Sequence, residues 1–273
     1  MTPETANKLE EFFRAFTPAA RPLLLLDYDG TLAGFRVDRF KARPWAGLRV
    51  LLTRIQREGR TRMAVITGRP PEEIAPMLAL EPPLEVWGLH GAERLRRDGR
   101  REQAEISAEA RERLDEVRAR LKQDALGGLY EDKPNAAVMH WRGRSPIAAE
   151  QIEQRTRALF EPLAQLEGLS LLKFEAGLEL RAGRDKGGAV RELLREHVSD
   201  APCTYLGDDI TDEEAFRAIN DAARPHLSVL VRSEWRSTAA DVWLRPPEEL
   251  RTFLRMWIDA LNLAPNHARK ARG

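Results

Sequence analysis

Several carboxylates, one lysine and one hydroxyl in this sequence could together bind a negatively charged ligand. These residues are Asp27, Asp29, Thr67, Lys186, Asp208 and Asp212. Carboxylates held close together repel one another, and a divalent cation with oxygen ligands relieves that repulsion. A lysine and a hydroxyl beside such a cation would bind the oxygens of a phosphoryl group. The set therefore predicts a site for Mg²⁺ and a phosphoryl group.

The first two carboxylates follow a predicted strand. Residues 23–26 are four consecutive leucines, and such an apolar run is typical of a parallel strand that is buried on both faces. Asp27 and Asp29 come next, and side chains two residues apart project to the same side of an extended chain. Gly30 then allows a sharp turn. Carboxylates at the carboxyl end of a buried strand stand where open α/β sheets bind their ligands.

A second predicted strand, residues 62–66, ends at Thr67 and Gly68. A helix is expected to begin near Pro71, because proline is favoured in the first turn of a helix. A hydroxyl and glycine backbone just before a helix form a small anion-binding turn. The same residues also fit an ordinary capped turn between a strand and a helix.

The last two groups belong to the C-terminal third of the chain. Lys186 opens a predicted helix, and the apolar strand at 202–206 ends in the acidic string at 207–214. Within this string, Thr211 and Glu214 have the spacing of a capping box, which predicts a helix beginning there.

The order of the elements predicts an α/β fold. Strands and helices alternate up to residue 87, as in a parallel sheet. Charged helices and hairpins follow, and the alternation returns near residue 185. We therefore expect a core domain of residues 1–98 and 183–273, with an inserted domain of residues 99–182.

Each end of the chain has a distinct pattern. An amphipathic helix is predicted within residues 1–20, with an apolar stripe of Leu9, Phe12, Phe13 and Phe16. Such a stripe is more often internal packing than a ligand site. The basic segment at 266–273 is predicted to be disordered.

Composition excludes several classes of protein. The 44 Lys and Arg residues nearly balance the 43 Asp and Glu residues, which argues against a general nucleic-acid-binding protein. Cys203 is the only cysteine, so no intrachain disulfide can form. No apolar run approaches the roughly 18 residues of a membrane span, and the N-terminus has no signal-like apolar core. A cytoplasmic enzyme with no membrane contact is the expectation.

The string Asp27-Tyr28-Asp29-Gly30-Thr31-Leu32 resembles the nucleophile motif of the haloacid dehalogenase-like (HAD) phosphatases. Thr67, Lys186 and the acidic string resemble the other three motifs of that superfamily, in the same order. The resemblance implies a HAD-like, Rossmann-type parallel-sheet core with an inserted α/β cap of the C2B type.

The resemblance also implies roles for these residues. Asp27 would be the nucleophile that forms an aspartyl-phosphate, and Asp29 would serve as general acid and then as general base. Thr67 and Lys186 would hold the phosphoryl oxygens. The implied ligands of Mg²⁺ are the Asp27 carboxylate, the Asp29 backbone carbonyl and Asp208, with Asp212 in the outer shell.

Four further strings resemble the trehalose-6-phosphate phosphatases within this superfamily. They are residues 88–93, residues 131–134 followed by 140–142, residues 178–181, and residues 207–213. The substrate-binding residues implied by this resemblance are Gly68, Arg69, His90, Glu131, Lys133, Arg142 and Glu179. Two positions depart from the family pattern: Thr67 stands where many members have serine, and Ala182 stands where proline is usual.

Other interpretations of these residues remain open. Glu131, Lys133 and Arg142 also fit solvated charges on the surface of the inserted domain, and His90 also fits a structural histidine. The reaction implied by the resemblance is hydrolysis of trehalose 6-phosphate to trehalose and phosphate. The alternatives are another glycosyl phosphate (sucrose 6-phosphate, mannosyl-3-phosphoglycerate or glucosylglycerol phosphate) and a non-catalytic sugar-phosphate sensor. The N-terminal stripe is compatible with contact to a trehalose-phosphate synthase but fits internal packing better.

Overall fold

The computed structural model describes residues 2–36, 38–123, 129–133, 135–166, 168–174, 176–197 and 199–263. The chain divides into two compact units. The core unit is Met1–Gln103 with Lys186–Gly273, and the cap unit is Ala104–Asp185. Two parts of the sequence predictions lie outside the described residues: the tail at 266–273, which was predicted to be disordered, and Pro134 of the string at 131–134.

The strands and helices of the described residues alternate along most of the chain. The strands are β1 (Leu23–Leu26), β2 (Arg62–Ile66), β3 (Glu85–Gly88), β4 (Glu93–Leu95), β5 (Arg101–Gln103), β6 (Tyr130–Lys133), β7 (Ala136–His140), β8 (Leu169–Phe174), β9 (Gly177–Ala182), β10 (Cys203–Gly207), β11 (His226–Val231) and β12 (Val242–Leu244). The helices are α1 (Pro3–Arg14), α2 (Leu48–Glu58), α3 (Pro71–Leu78), α4 (Ala108–Gln123), α5 (Pro146–Phe160), α6 (Lys186–Glu196), α7 (Glu213–Asn220) and α8 (Glu248–Leu263). None of these helices is long and apolar enough to cross a membrane.

The core unit is built on one sheet in the order β12-β11-β10-β1-β2-β3-β4-β5. The strands from β12 to β3 are parallel to their neighbours, and β4 and β5 pair antiparallel. β1 lies between β10 and β2, and its last residue, Leu26, is level with Leu206 and Val65. The predicted α/β fold with a parallel-sheet core is therefore confirmed.

The four leucines of β1 are buried because helices cover both faces of the sheet. Leu24 and Leu26 belong to one hydrophobic cluster, and Leu23 and Leu25 belong to a second cluster on the opposite face. A fully buried leucine contributes roughly 1.5–3 kcal/mol relative to an exposed one. This burial fixes the strand that leads to Asp27.

The N-terminal helix packs within its own unit. Leu9 and Phe12 are buried, and the rings of Phe13 and Phe16 lie 6.2 and 4.9 Å from the ring of Trp257 on α8. The apolar stripe therefore has the internal packing that the sequence favoured.

The hairpin of β4 and β5 turns at Asp98-Gly99. Gly99 has a φ of +85°, which glycine adopts without strain. Because β5 pairs with β4, the hairpin extends the core sheet, and the cap unit begins at Ala104 rather than within the hairpin.

The cap unit has a four-stranded antiparallel sheet in the order β6-β7-β9-β8. Leu178 and Leu180 of β9 pack in one hydrophobic cluster with residues of α4 and α5. Side chains alternate between the faces of a strand, so Glu179 lies on the face opposite these helices. Glu131 and Glu179 are both level with Val138 of β7, which places Glu131 on that same face.

An ion-pair network ties the far end of α6 to the core sheet. The carboxylate of Glu196 accepts hydrogen bonds from Arg94 Nη1 and Nη2 at 2.6 and 2.7 Å, and from Arg62 Nη2 at 2.7 Å. Arg94 is almost fully buried, and its guanidinium lies 4.4 Å from the ring of Trp87. Hydrogen bonds from Arg94 lower the pKa of Glu196 to about 2.

We predict that Glu196→Gln lowers the free energy of unfolding by about 1–2 kcal/mol at neutral pH, because it removes charge from these hydrogen bonds. The native pKa of Glu196 lies below its usual 4.5, so its stabilising effect is complete above pH 4.5 and is lost as the pH falls towards about 2. Urea unfolding of the unmodified protein and of Glu196→Gln should be measured between pH 7 and pH 3. The difference between their free energies of unfolding should become smaller below pH 4.5. Glu10→Gln, in an exposed pair with Arg14, is the control. A difference that stayed constant with pH would contradict this account.

Candidate active site

The parallel register brings the predicted chemical groups to one edge of the core sheet. Asp27 follows β1, Thr67 follows β2 and Asp208 follows β10. The backbone N–H of Asp27 donates to the carbonyl oxygen of Leu206 at 2.8 Å, so β1 and β10 stay paired up to the site. Lys186 is the first residue of α6 and joins these groups from a helix.

A buried ammonium group lies at the centre of the site. Lys186 Nζ donates to Asp27 Oδ1 at 2.8 Å and to Asp212 Oδ1 at 2.7 Å. All three side chains are almost fully buried. Although burial alone would lower it, the pKa of Lys186 is raised by the two carboxylates, so the ammonium stays charged. Removal of either carboxylate would leave the buried ammonium without one of its two partners, which would destabilise the fold.

Three buried carboxylates could hold a metal ion. One oxygen atom from each of Asp27, Asp208 and Asp212 lies within 4.8 Å of the others. Asp208 is 4% exposed, and within the described part of the chain no hydrogen bond reaches its carboxylate. Burial, with the neighbouring carboxylates, raises the pKa of Asp208 to about 9 and that of Asp27 to about 7. Three buried carboxyl groups with oxygen ligands alone fit a hard divalent cation, whose charge would favour their ionised forms.

Asp212 holds the turn after β10 together. Its Oδ2 accepts the backbone N–H groups of Asp208 and Asp209, each at 2.9 Å, and its Oδ1 accepts the hydroxyl of Tyr205 at 2.5 Å as well as Lys186. All of these donors lie within the core unit. The Asp212 carboxylate is thus already surrounded by hydrogen-bond donors.

The capping box predicted at Thr211 and Glu214 is wrong. The capping box is formed instead by Asp209 and Asp212 at the start of a short 3₁₀ helix, and α7 begins after it at Glu213. Both pairs have the same spacing, and the contacts of Asp212 with Lys186 and Tyr205 favour the earlier one.

Asp29 is held by a paired arginine. Arg69 Nε and Nη2 donate to the two carboxylate oxygens of Asp29, both at 2.6 Å. The Arg69 side chain is 7% exposed, and it also contacts Glu73 at 3.4 Å and lies 5.6 Å from the ring of Tyr28. In this structure Arg69 orients Asp29, and its role in binding a substrate stays a prediction.

The turn after β2 is compact. Thr67 is fully buried, and its Oγ1 accepts the backbone N–H of Arg69 at 3.2 Å. The backbone N–H of His90 donates to the Thr67 carbonyl oxygen at 2.8 Å. A Cβ atom on Gly68 would lie 2.6 Å from His90 Nε2, so this glycine lets the imidazole approach the turn. The structure therefore brings Thr67, Gly68 and His90 together.

Two residues near the carboxylates were given no role of their own from the sequence. They are Tyr205, which donates to Asp212, and Thr31, whose Oγ1 donates to Asp27 Oδ2 at 3.4 Å. Both are fully buried. The signal for Tyr205 was a hydroxyl inside an apolar strand, since a buried tyrosine hydroxyl usually has a partner.

Of the predicted substrate-binding residues of the cap unit, Lys133 and Glu179 pair with each other, and Glu131 pairs with His140. Lys133 Nζ donates to Glu179 Oε2 at 3.1 Å, and Glu131 Oε2 lies 2.7 Å from His140 Nε2. Glu179 Oε1 also accepts hydrogen bonds from Arg181. Arg142 follows β7 and is exposed. Glu131, Lys133 and Glu179 thus share one face of the cap sheet.

We predict that Gly30→Ala abolishes divalent-cation binding. Gly30 has a φ of +79°, and a Cβ atom there would lie 1.9 Å from Asp208 Oδ2, so the carboxylate must move. Gly99→Ala is a matched control, because its φ is +85° and nothing lies within 4 Å of the added atom. Both variants should lose about 1–2 kcal/mol of stability from the backbone conformation. Thermal unfolding should be measured with and without Mg²⁺. We expect Mg²⁺ to raise the unfolding temperature of Gly99→Ala but not that of Gly30→Ala. An increase for both variants would contradict the prediction.

The comparisons with known proteins agree with one another. The model of the family described as Trehalose-phosphatase matches residues 25–244. The trehalose-phosphate phosphatase of Mycolicibacterium paratuberculosis is 29% identical over 251 residues, which cover 88% of this chain and 63% of that protein. The trehalose-phosphate phosphatase of Mycobacterium marinum is 32% identical over 248 residues, which cover 85% of this chain and 60% of that protein. This chain therefore spans less than two thirds of these relatives.

Solved structures are similar over nearly the whole chain. A crystal structure of Aspergillus fumigatus trehalose-6-phosphate phosphatase has a TM-score of 0.71 and 25% identity, covering 95% of this chain and 97% of that one. A haloacid dehalogenase-like hydrolase from B. subtilis, at 17% identity and a TM-score of 0.60, shares the fold over 86% of this chain and 98% of that one. The family match spans both the sheet edge that carries Asp27, Lys186 and Asp208 and the whole cap unit. On these grounds the chain belongs to the trehalose-phosphatase family.

Proposed function

We propose that this chain is a Mg²⁺-dependent phosphatase that hydrolyses trehalose 6-phosphate to trehalose and phosphate. The observation that carries the proposal is the buried cluster of Asp27, Lys186, Asp208 and Asp212 in a member of the trehalose-phosphatase family. The cluster has the charges needed to bind a divalent cation and a phosphate ester.

In the proposed reaction, the Asp27 carboxylate attacks the phosphorus atom and the sugar oxygen leaves with a proton from Asp29. The bond from phosphorus to the sugar oxygen breaks as the bond to Asp27 forms, which gives an aspartyl-phosphate. Asp29 then takes a proton from water, and the resulting attack on phosphorus releases phosphate and restores Asp27. The two hydrogen bonds from Arg69 fix the direction of the Asp29 carboxylate, which supports its role as general base in the second step.

The remaining groups would neutralise charge on the phosphoryl oxygens. Lys186 already lies against Asp27, and Thr67 ends the neighbouring strand. Mg²⁺, held by the Asp27 carboxylate, the Asp29 backbone carbonyl and Asp208, would add positive charge to the same oxygens. Asp212 is proposed as an outer-shell residue, and its existing hydrogen bonds to Lys186 and to the turn after β10 support this.

The cap unit is proposed to recognise the sugar. Glu131, Lys133 and Glu179 share the face of its sheet that is opposite α4 and α5. Carboxylates accept hydrogen bonds from sugar hydroxyls, and lysine donates to ring and phosphate oxygens. Glu179 is nearly buried between Lys133 and Arg181, which supports a role in orienting the lysine.

We predict that phosphate release is fastest with trehalose 6-phosphate among four substrates that include sucrose 6-phosphate, glucose 6-phosphate and mannosyl-3-phosphoglycerate. Asp27→Asn should lower the rate at least about 10³-fold, because the amide is a poor nucleophile of nearly the same shape. A phosphate-release assay with Mg²⁺ measures both the substrate preference and the effect of Asp27→Asn. Preference for another ester would overturn the proposed substrate, and no release from any of them would overturn the proposed activity.

We predict that Lys133→Ala and Glu131→Ala raise the KM for trehalose 6-phosphate by about 10- to 100-fold, the value of one hydrogen bond to a charged group. Hydrolysis of p-nitrophenyl phosphate, which has no sugar, should change little. Lys122→Ala is the control, because Lys122 lies on α4 and pairs with Asp132. Equal losses on both substrates would argue against sugar recognition by these residues.

A further inference from the structure

Two arginines hold the carbonyl side of the turn that carries Asp208. Arg236 Nη2 donates to the carbonyl oxygen of Asp209 at 2.7 Å, and Arg236 Nε lies 3.5 Å from the carbonyl oxygen of Asp208. Arg232 Nη1 donates to the same Asp208 oxygen at 3.4 Å. Both arginines belong to the loop of residues 232–241, between β11 and β12. This loop is therefore attached directly to the metal-site turn.

A buried glutamate fixes Arg236 in this position. Arg236 Nη1 donates to Glu213 Oε1 at 2.5 Å, and Glu213, the first residue of α7, is only 7% exposed. Glu213 also accepts hydrogen bonds from Thr238 Oγ1 at 2.9 Å and from the backbone N–H of Ala239 at 2.8 Å. Both of its oxygens are thus occupied by the loop, and the guanidinium has a defined place between Glu213 and the turn.

The turn is held from both sides, whereas the carboxylate that it carries is not. Asp212 accepts the N–H groups of Asp208 and Asp209, and Arg236 binds their carbonyl oxygens. Within the described residues no hydrogen bond reaches the Asp208 carboxylate itself. Its direction therefore depends on the backbone that these contacts fix.

We infer that Arg236, held by Glu213, is a positioning residue that fixes the Asp208 turn and thereby strengthens divalent-cation binding. The inference rests on the proposed Mg²⁺ site, and nothing requires Arg236 to contact substrate. Residues that orient metal ligands from the outer shell typically change metal affinity 10- to 100-fold when they are replaced.

The test is Mg²⁺ binding to the full chain, measured by titration calorimetry without substrate. Arg236→Ala should weaken Mg²⁺ binding about 10-fold or more. Arg236→Lys keeps a charge beside Glu213 but loses the forked donors, so it should fall between that variant and the unmodified protein. Arg217→Ala is the matched control, because it removes an exposed arginine of α7 that pairs with Glu214. This control should bind Mg²⁺ as the unmodified protein does.

The outcomes separate positioning from general stability. Unfolding of each variant in EDTA reports the structural cost, and unchanged Mg²⁺ affinity in Arg236→Ala would overturn the inference whatever that cost is. If Arg236→Ala does not fold, the Mg²⁺ affinity of Arg236→Lys tests the inference instead. An affinity equal to that of the unmodified protein would then overturn the inference. An unmodified protein that binds no Mg²⁺ also overturns it. Failure to hydrolyse trehalose 6-phosphate with Mg²⁺ binding intact would refute only the proposed function.

Discussion

The pairing of one buried ammonium with two buried carboxylates is the constraint on which this structure depends. Transfer of each ion from water into the protein costs several kcal/mol, and only close opposite charges offset that cost. Lys186 meets Asp27 and Asp212 at hydrogen-bond distance, so the end of β1, the start of α6 and the turn after β10 must converge. The site and the core fold thus share one set of interactions.

The positions of the central residues could be predicted because they follow strands with strong local signals. Four leucines mark β1, and the apolar run before Gly207 marks β10. Parallel strands side by side place their carboxyl ends together, and Asp27 and Asp208 are close because β1 pairs with β10. Thr67 keeps the hydroxyl of the serine that the family pattern led us to expect, and its Oγ1 accepts the backbone N–H of Arg69.

Other features depend on contacts between distant residues and left little local signal. β6 reads Tyr-Glu-Asp-Lys, which lacks the apolar alternation of a half-buried strand, and it forms only by pairing with β7. The pair of Arg69 with Asp29 joins residues 40 positions apart. Arg236 lies in a loop with no motif, so its contact with Asp209 emerges only from the folded chain.

Helix α6 connects the buried charge cluster of Lys186 with the ion-pair network of Glu196. Lys186 at its start belongs to the buried charge cluster, and Glu196 at its end belongs to the network with Arg94. A helix rises about 1.5 Å per residue, so its 11 residues form a rigid rod of about 16 Å. A redesign of the Glu196 end for tolerance to acid therefore alters the helix that also places the Lys186 ammonium. An engineer who changes this network should therefore also check that Lys186 keeps its contacts with Asp27 and Asp212.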